Sequence, residues 1–191
     1  MDKTAKTSNI KAYLKSGFIL FAITVSVALI LSVVYTVTIG PIEEALLQKK
    51  KEAIEIVMPG ALISGADVVF DDATVSPVDV DGAVAYCVEV APNGFAGPVK
   101  LIVGVKHDGQ KLRVTGVSII EMSETPDIGT KADDPGFLGQ FGGLAFGVVT
   151  GGGENSVEAI SGATVTSRAV IAGVNLALEA AERVYNGEGA N

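Results

Sequence analysis

Residues 160–170, ISGATVTSRAV, set three hydroxyl side chains (Thr164, Thr166 and Ser167) directly behind Ser161, Gly162 and Ala163, at the mouth of an apolar-periodic run. Two chemistries suit that arrangement. A hydroxyl oxygen at a helix start accepts a bond from one of the free backbone N–H groups, which is ordinary capping. Alternatively, one of the hydroxyls carries a phosphate ester. Gly162 and Ala163 offer little bulk, so a large group can approach the backbone closely. The N–H groups of Ala163, Thr164, Val165 and Thr166 cannot all bond within the helix, and with the helix dipole they form an anion site. Arg168 is near in sequence, and an ester on Thr164 would fix the phosphate there. Locally, both readings stand.

Other chemistry is sparse. The triple glycine at 151–153 is followed by Glu154 and Asn155, so no dinucleotide fingerprint forms, and GTKA at 129–132 lacks the spacing of a phosphate-binding loop. ISGAT is not the Gly-x-Ser-x-Gly of a hydrolase elbow. The single cysteine, Cys87, and single histidine, His107, exclude an internal disulfide and leave a Cys/His zinc site short of ligands. Cys87 lies in AVAYCVEV and is expected to be a buried small hydrophobe. His107, beside Asp108-Gly109, is expected in an exposed turn. A reaction carried by this chain is therefore expected to rest on a cofactor.

The elements around the hydroxyls follow from periodicity. From about 164 to 185, Val170, Ile171, Val174, Leu178, Ala181 and Tyr185 make one stripe of a helix, with Asn175, Glu179, Glu182, Arg183 and Asn186 opposite and Gly187 as its stop. Four Val-rich runs, ADVVFDD, AVAYCVEVAP, GPVKLIVGVKHDG and KLRVTGVSIIEM, predict an antiparallel sheet of hairpins between 61 and 121. Residues 122–156 read as a loop with a short helix near 135–142. Residues 42–58 predict a helix ended by Pro59-Gly60, either a stalk or the first helix of the domain. The fold class is α+β.

Residues 17–39 run 23 positions without a charge. As a helix that is about 34 Å, enough to cross a hydrocarbon core of about 30 Å. The run is too long for the core of a cleaved signal, so an uncleaved transmembrane helix is expected. Lys3, Lys6, Lys11 and Lys15 against Asp2 give the first sixteen residues +3, which keeps the N-terminus in the cytoplasm. The total of −8 then leaves −11 for the remainder, outside, which disfavours nucleic acid as a partner.

SGAT, residues 161–164, resembles the flavinylation motif of FMN-binding domains in redox-driven ion pumps. These are the G subunit of the Rnf ferredoxin:NAD oxidoreductase and the C subunit of sodium-translocating NADH:quinone reductase. The family pattern is Asp-Gly-x-Ser/Thr-Gly-Ala-Thr; here Glu158 stands for Asp and Ala159 for Gly. SETPDIGTK, residues 123–131, resembles the family's Glu-Thr-Pro-Gly-Leu-Gly segment. Glu124, Thr125, Pro126 and Gly129 match, while Asp127 and Ile128 replace Gly and Leu. Length favours the Rnf-type subunit.

The resemblance implies FMN held covalently as a phosphoester on Thr164, with Ser161, Gly162 and Ala163 as the recognition stretch and Val165, Thr166, Glu124 and Thr125 beside the cofactor. It implies a dedicated flavin transferase for maturation, and neighbouring subunits of a membrane-bound, ion-translocating ferredoxin:NAD oxidoreductase in which this chain relays electrons. The expected organisation is a cytoplasmic segment 1–16, a membrane helix 17–39, a helical stalk or linker 40–60 and an extracytoplasmic FMN-binding domain 61–191. A flavin-free membrane-tethered module and a stand-alone outer flavoprotein are the alternatives. Tyr86, Phe95, Phe137 and Phe141 are expected in the core rather than against the flavin. The orientation has a direct check. Cysteine introduced as Asn191→Cys should react with a membrane-impermeant thiol reagent while the inner membrane is intact; labelling only after that membrane is broken reverses the orientation.

Overall fold

The computed structural model describes residues 4–80 and 82–188, with side chains from Tyr13 onward. Residues 1–3 of the expected cytoplasmic segment and the C-terminal Asn191 lie outside that range. Helix α1 spans Thr4–Val57 and continues through Pro41. The chain divides into two compact units, Met1–Leu47 and Gln48–Asn191.

In the first unit, α1 is long and apolar enough to cross a membrane. Large apolar side chains such as Phe18, Leu20, Leu29, Leu31 and Val37 stand exposed along it, a surface that water disfavours and a hydrocarbon layer suits. Four of its hydroxyls are satisfied locally. Thr24 donates to the Phe21 carbonyl (2.9 Å), Ser26 to Ala22 (2.7 Å), Thr36 to Ser32 (2.8 Å) and Thr38 to Val34 (2.7 Å). Such back-bonding spares each hydroxyl an unmet bond in an apolar setting.

The second unit is built on an antiparallel sheet. Its strands are β1 (Leu62–Ile63), β2 (Val68–Val69), β3 (Ala73–Val80), β4 (Ala83–Val90), β5 (Lys100–His107) and β6 (Leu112–Glu121). They lie in the order β1-β3-β4-β5-β6, with β2 also on β3. The β4 and β5 runs are apolar on both faces because both faces are covered. On one face, Tyr86, Val88, Leu101, Val103 and Val105 pack against the C-terminal helix α3 (Thr164–Tyr185) through Val170, Val174, Ala177 and Leu178. On the other, Ala85, Cys87 and Ile102 meet Ala53 and Val57 from the end of α1 and Met58 just after it.

The segment 40–60, expected as stalk or linker, is therefore divided: from Gln48 it packs with the domain. Its last turn seats on paired glycines. Gly104 and Gly116 face each other across β5 and β6. A Cβ on Gly104 would lie 2.8 Å from the Val57 carbonyl, and one on Gly116 3.0 Å from Val57 Cα. The Thr115 hydroxyl donates to that same carbonyl at 2.7 Å. Lys50 adds an ion pair to Glu89 on β4 (2.8 Å), which Lys100 joins at 3.1 Å. Burial alone would raise the Glu89 carboxyl, but the two ammonium groups outweigh it and hold it below its ordinary value.

Four strands follow the expected runs, although ADVVFDD yields only the two residues of β2. Strand β3 is not announced by the pattern, since Pro77 interrupts it. It is tolerated because β1 pairs with Val78 and Asp79 and β2 with Thr74 and Val75, leaving a gap at residues 76–77. In that gap the Ser76 hydroxyl donates to Asp67 at 2.6 Å. Cys87 is buried as expected, and burial pushes its thiol up to about 11. His107 departs from expectation. It ends β5 opposite Leu112 and stacks on Tyr185 at 4.9 Å, while its Nδ1 accepts from the Gly109 N–H at 3.0 Å. The aromatic ring finds more contact there than in a solvated turn.

Helix α2 (Pro135–Leu138) falls in the expected short-helix region, its N-cap Asp134 accepting from the Gly136 N–H at 2.7 Å. The stretch after it is tied down by two asparagines. Asn155 exchanges bonds with the backbone N–H and carbonyl of Ala145 at 3.1 Å each. Asn175, expected on the outer face of the helix, instead receives the Gly147 and Val148 N–H groups and donates to the Val148 carbonyl. Between these clamps, β7 (Val149–Thr150) and β8 (Ser156–Val157) form a short parallel pair.

The glycine seat yields a stability test. Gly116→Ala should cost about 1–3 kcal/mol by forcing the end of α1 off the sheet, read as a lower melting temperature of the full chain. Gly139→Ala, where a Cβ meets nothing within 4 Å, should leave that temperature unchanged.

Candidate functional site

The start of α3 is set by the turn before it. The Ala163 N–H donates to the Ile160 carbonyl at 3.0 Å, and the first helical bond runs from the Ser167 N–H to the Ala163 carbonyl at 2.9 Å. Ser167, fully buried, receives the Ile160 N–H on its hydroxyl and donates that hydroxyl to the Ala163 carbonyl, both at 3.0 Å. Gly162 lies at φ +82°, a backbone region that favours glycine. Ala163 is the N-cap, and no side chain caps this end. Thr164, for which simple capping was one reading, is instead the first helical residue, with an exposed side chain. The N–H groups of Thr164, Val165 and Thr166 precede the first helical bond and point along the helix dipole.

Beneath this helix start lies a buried carboxylate. Glu124 follows β6 and is 6% exposed. Its Oε1 accepts from the Phe95 N–H at 2.7 Å and the Ala96 N–H at 3.3 Å, and its Oε2 accepts from the Thr166 hydroxyl at 3.1 Å. All three partners are uncharged donors. Two glycines make room for it: a Cβ on Gly94 would lie 2.1 Å from Oε1, and one on Gly129 2.7 Å from the Glu124 Cβ. Thr166, expected in the first helical turn, is found there, with its hydroxyl committed inward to Glu124.

The loop after Glu124 turns on the Thr125 carbonyl, which accepts from the N–H groups of Ile128 (3.3 Å), Gly129 (2.9 Å) and Thr130 (3.3 Å). Asp127 sits at φ +60°, the positive-φ non-glycine residue among those described. It occupies the position where the family segment has glycine. Aspartate tolerates that conformation better than most residues, and its N–H donates to the Thr130 hydroxyl at 3.0 Å.

These pieces enclose a cleft of about 420 Å³, lined by Phe95, Glu124, Thr125, Ile128, Gly129 and Gly162 through Thr166. Of the residues singled out from sequence, Gly162, Ala163, Thr164, Val165, Thr166, Glu124 and Thr125 line it, and Ser161 lies in the exposed turn immediately before. Tyr86, Phe137 and Phe141 are core, as expected. Phe95 is not: it is 72% exposed and forms one wall. Ile128 and Gly129, from the segment 123–131 likened to the family's, complete the wall. The signal for Phe95 was its place between Gly94 and Gly97 at a loop tip, where a core is out of reach.

Residues 94–179 match the model of the FMN-binding domain family. The chain is 32% identical over 195 residues to the G subunit of the Na(+)-translocating ferredoxin:NAD(+) oxidoreductase complex of Acetobacterium woodii, an alignment covering 88% of this chain and 91% of that protein. It belongs to this G-subunit family. Another member, the G subunit of the ion-translocating oxidoreductase complex of Methanosarcina acetivorans, is 32% identical over 80% of this chain and 85% of its own length. Among solved structures, the C subunit of the Na(+)-translocating NADH-quinone reductase from Parabacteroides distasonis is 26% identical, with a TM-score of 0.46 over 59% of this chain and 61% of that one.

In this member of the family the loop conformation at Asp127 can be tested directly. Asp127→Gly should raise stability by up to about 1 kcal/mol, whereas the β-branched Asp127→Val should lower it by about 1–2 kcal/mol. Thermal melting of the full chain reads both.

Proposed function

We propose that the cleft holds FMN as a phosphoester on Thr164, and that the chain is the electron-relaying subunit of an ion-translocating ferredoxin:NAD oxidoreductase. One observation carries the site assignment. The exposed Thr164 hydroxyl opens into a cleft beside three N–H groups with no helical acceptor. That donor set fits a phosphate without a lysine or arginine. The walls fit the remainder: Phe95, Ile128, Ala163 and Val165 are apolar, and about 420 Å³ lies within the range of small-molecule sites.

The cofactor would supply one- and two-electron transfer, chemistry for which the side chains offer no substitute. The chain's own residues do the holding. Thr164 supplies the ester oxygen, the Val165 and Thr166 N–H groups bind phosphate oxygens, and Ser167 fixes the turn that presents them. Thr125 orients the loop facing the helix start. Partners supported by the relatives' names are other subunits of such a complex; a flavin transferase is required by the ester itself.

The proposed organisation keeps the N-terminal segment 1–16 in the cytoplasm, residues 17–39 in the membrane and the FMN-binding domain outside, with the end of α1 from Gln48 belonging to that domain. The four lysines of the N-terminal flank support it.

Flavin fluorescence in a denaturing gel tests the attachment. Wild type should fluoresce and gain the mass of one FMN, whereas Thr164→Ala should be dark. Alanine is the better helix former, so Thr164→Ala should melt within a few degrees of wild type. Fluorescence persisting in Thr164→Ala while Thr166→Ala is dark would move the ester to Thr166. No fluorescence in wild type matured with its transferase would leave a flavin-free tethered module.

A further inference from the structure

The loop that carries Phe95 is closed on itself. The Gly94 N–H donates to the Gly97 carbonyl at 2.8 Å, the Val99 N–H to the Pro92 carbonyl at 2.8 Å, and Asn93 bridges Pro98. These bonds shape the loop without fixing it over the cleft. The fixing bonds are those from the Phe95 and Ala96 N–H groups to Glu124 Oε1. The other oxygen of that carboxylate holds the Thr166 hydroxyl, two residues along the helix from Thr164. One side chain thus spans the aromatic wall and the attachment point. The ring itself is 72% exposed, although its neighbour Gly94 packs against Val99 and Glu124. A large apolar ring held open to solvent on a braced loop lacks any partner in the core, but it has a place beside a flat aromatic ligand.

We infer that Phe95 covers one face of the flavin, and that Glu124 is the positioning residue that sets it there through its two carboxylate oxygens. This rests on the cleft being the flavin site. The role of Glu124 is geometric: the same bonds can be made by an isosteric amide, whose carbonyl oxygen accepts from the two N–H groups and whose NH₂ donates to the Thr166 oxygen. Alanine can make none of them and leaves three donors unmet.

The chain contains no tryptophan, so an indole placed at position 95 is a clean reporter: in contact with a flavin it quenches the flavin's emission. The test uses the full chain, matured with its transferase, and normalises native emission to the in-gel band after denaturation. Phe95→Trp should lower native emission at least fivefold at an unchanged band. Phe146→Trp, at an exposed residue outside the cleft, should not. Adding Glu124→Ala to Phe95→Trp should restore at least half of the lost emission, whereas adding Glu124→Gln should leave the quench in place. In Phe95→Ala, quenching by dissolved iodide should rise about threefold. Unchanged native emission in Phe95→Trp, with iodide quenching of Phe95→Ala equal to wild type, would remove Phe95 from the flavin. A quench that survives Glu124→Ala in full would remove the positioning role. A dark wild-type band would overturn the flavin reading and this one with it, and is told apart by the gel alone.

Discussion

A carboxylate without a cation organises the cleft. Burying a carboxyl group is costly unless its oxygens are bonded. Here the cost is met by two backbone N–H groups from one loop and a hydroxyl from a helix. Each donor comes from a different part of the sequence than Glu124 itself. The 94–97 loop, the 124–130 loop and the first turn of α3 therefore cannot move independently without leaving buried polar groups unpaired. Gly94 and Gly129 follow from the same constraint, because any side chain at either position would occupy the space of the carboxyl group. The cleft is the space left among three segments tied to one residue.

Behind that cleft stands a sheet covered on both faces. One face carries α3, whose N-terminal turn supplies the N–H groups and the threonines, so the packing of Val170, Val174 and Leu178 on β4 and β5 fixes where those groups point. The other face carries the end of α1, seated where two facing glycines remove the side chains that would hold it off. Domain packing and cofactor geometry are thus two faces of one sheet rather than separate structures.

Much of this was legible in the residues, for reasons that differ by element. Helix α3 could be placed from its stripe and its Gly187 stop because a helix that packs on one side writes its period into the sequence. Strands β4, β5 and β6 were legible from β-branched density. Strand β3 was hidden by Pro77, whose tolerance depends on a gap between two other strands that no local pattern reveals. The motif residues 162–166 and 124–125 line a common cleft, but what each contributes was not readable. Thr166 turns inward to a residue 42 positions away, and Phe95 leaves the core because its loop is braced by Glu124. His107 was misplaced because its stacking partner, Tyr185, lies at the far end of the chain. Contacts of long sequence separation are what periodicity omits.

Cys87 has a consequence for the extracytoplasmic placement proposed for this domain. Thiol–disulfide exchange proceeds through the thiolate and requires access to it. Under the end of α1, with its thiol pushed up to about 11, Cys87 offers neither. In an oxidising compartment the folded chain would present no thiol to passing oxidoreductases or mixed disulfides. A protein proposed to handle electrons for its neighbours would then carry its one thiol off the circuit, beneath the last turn of α1. Modification of that thiol would be a chemical record of unfolding.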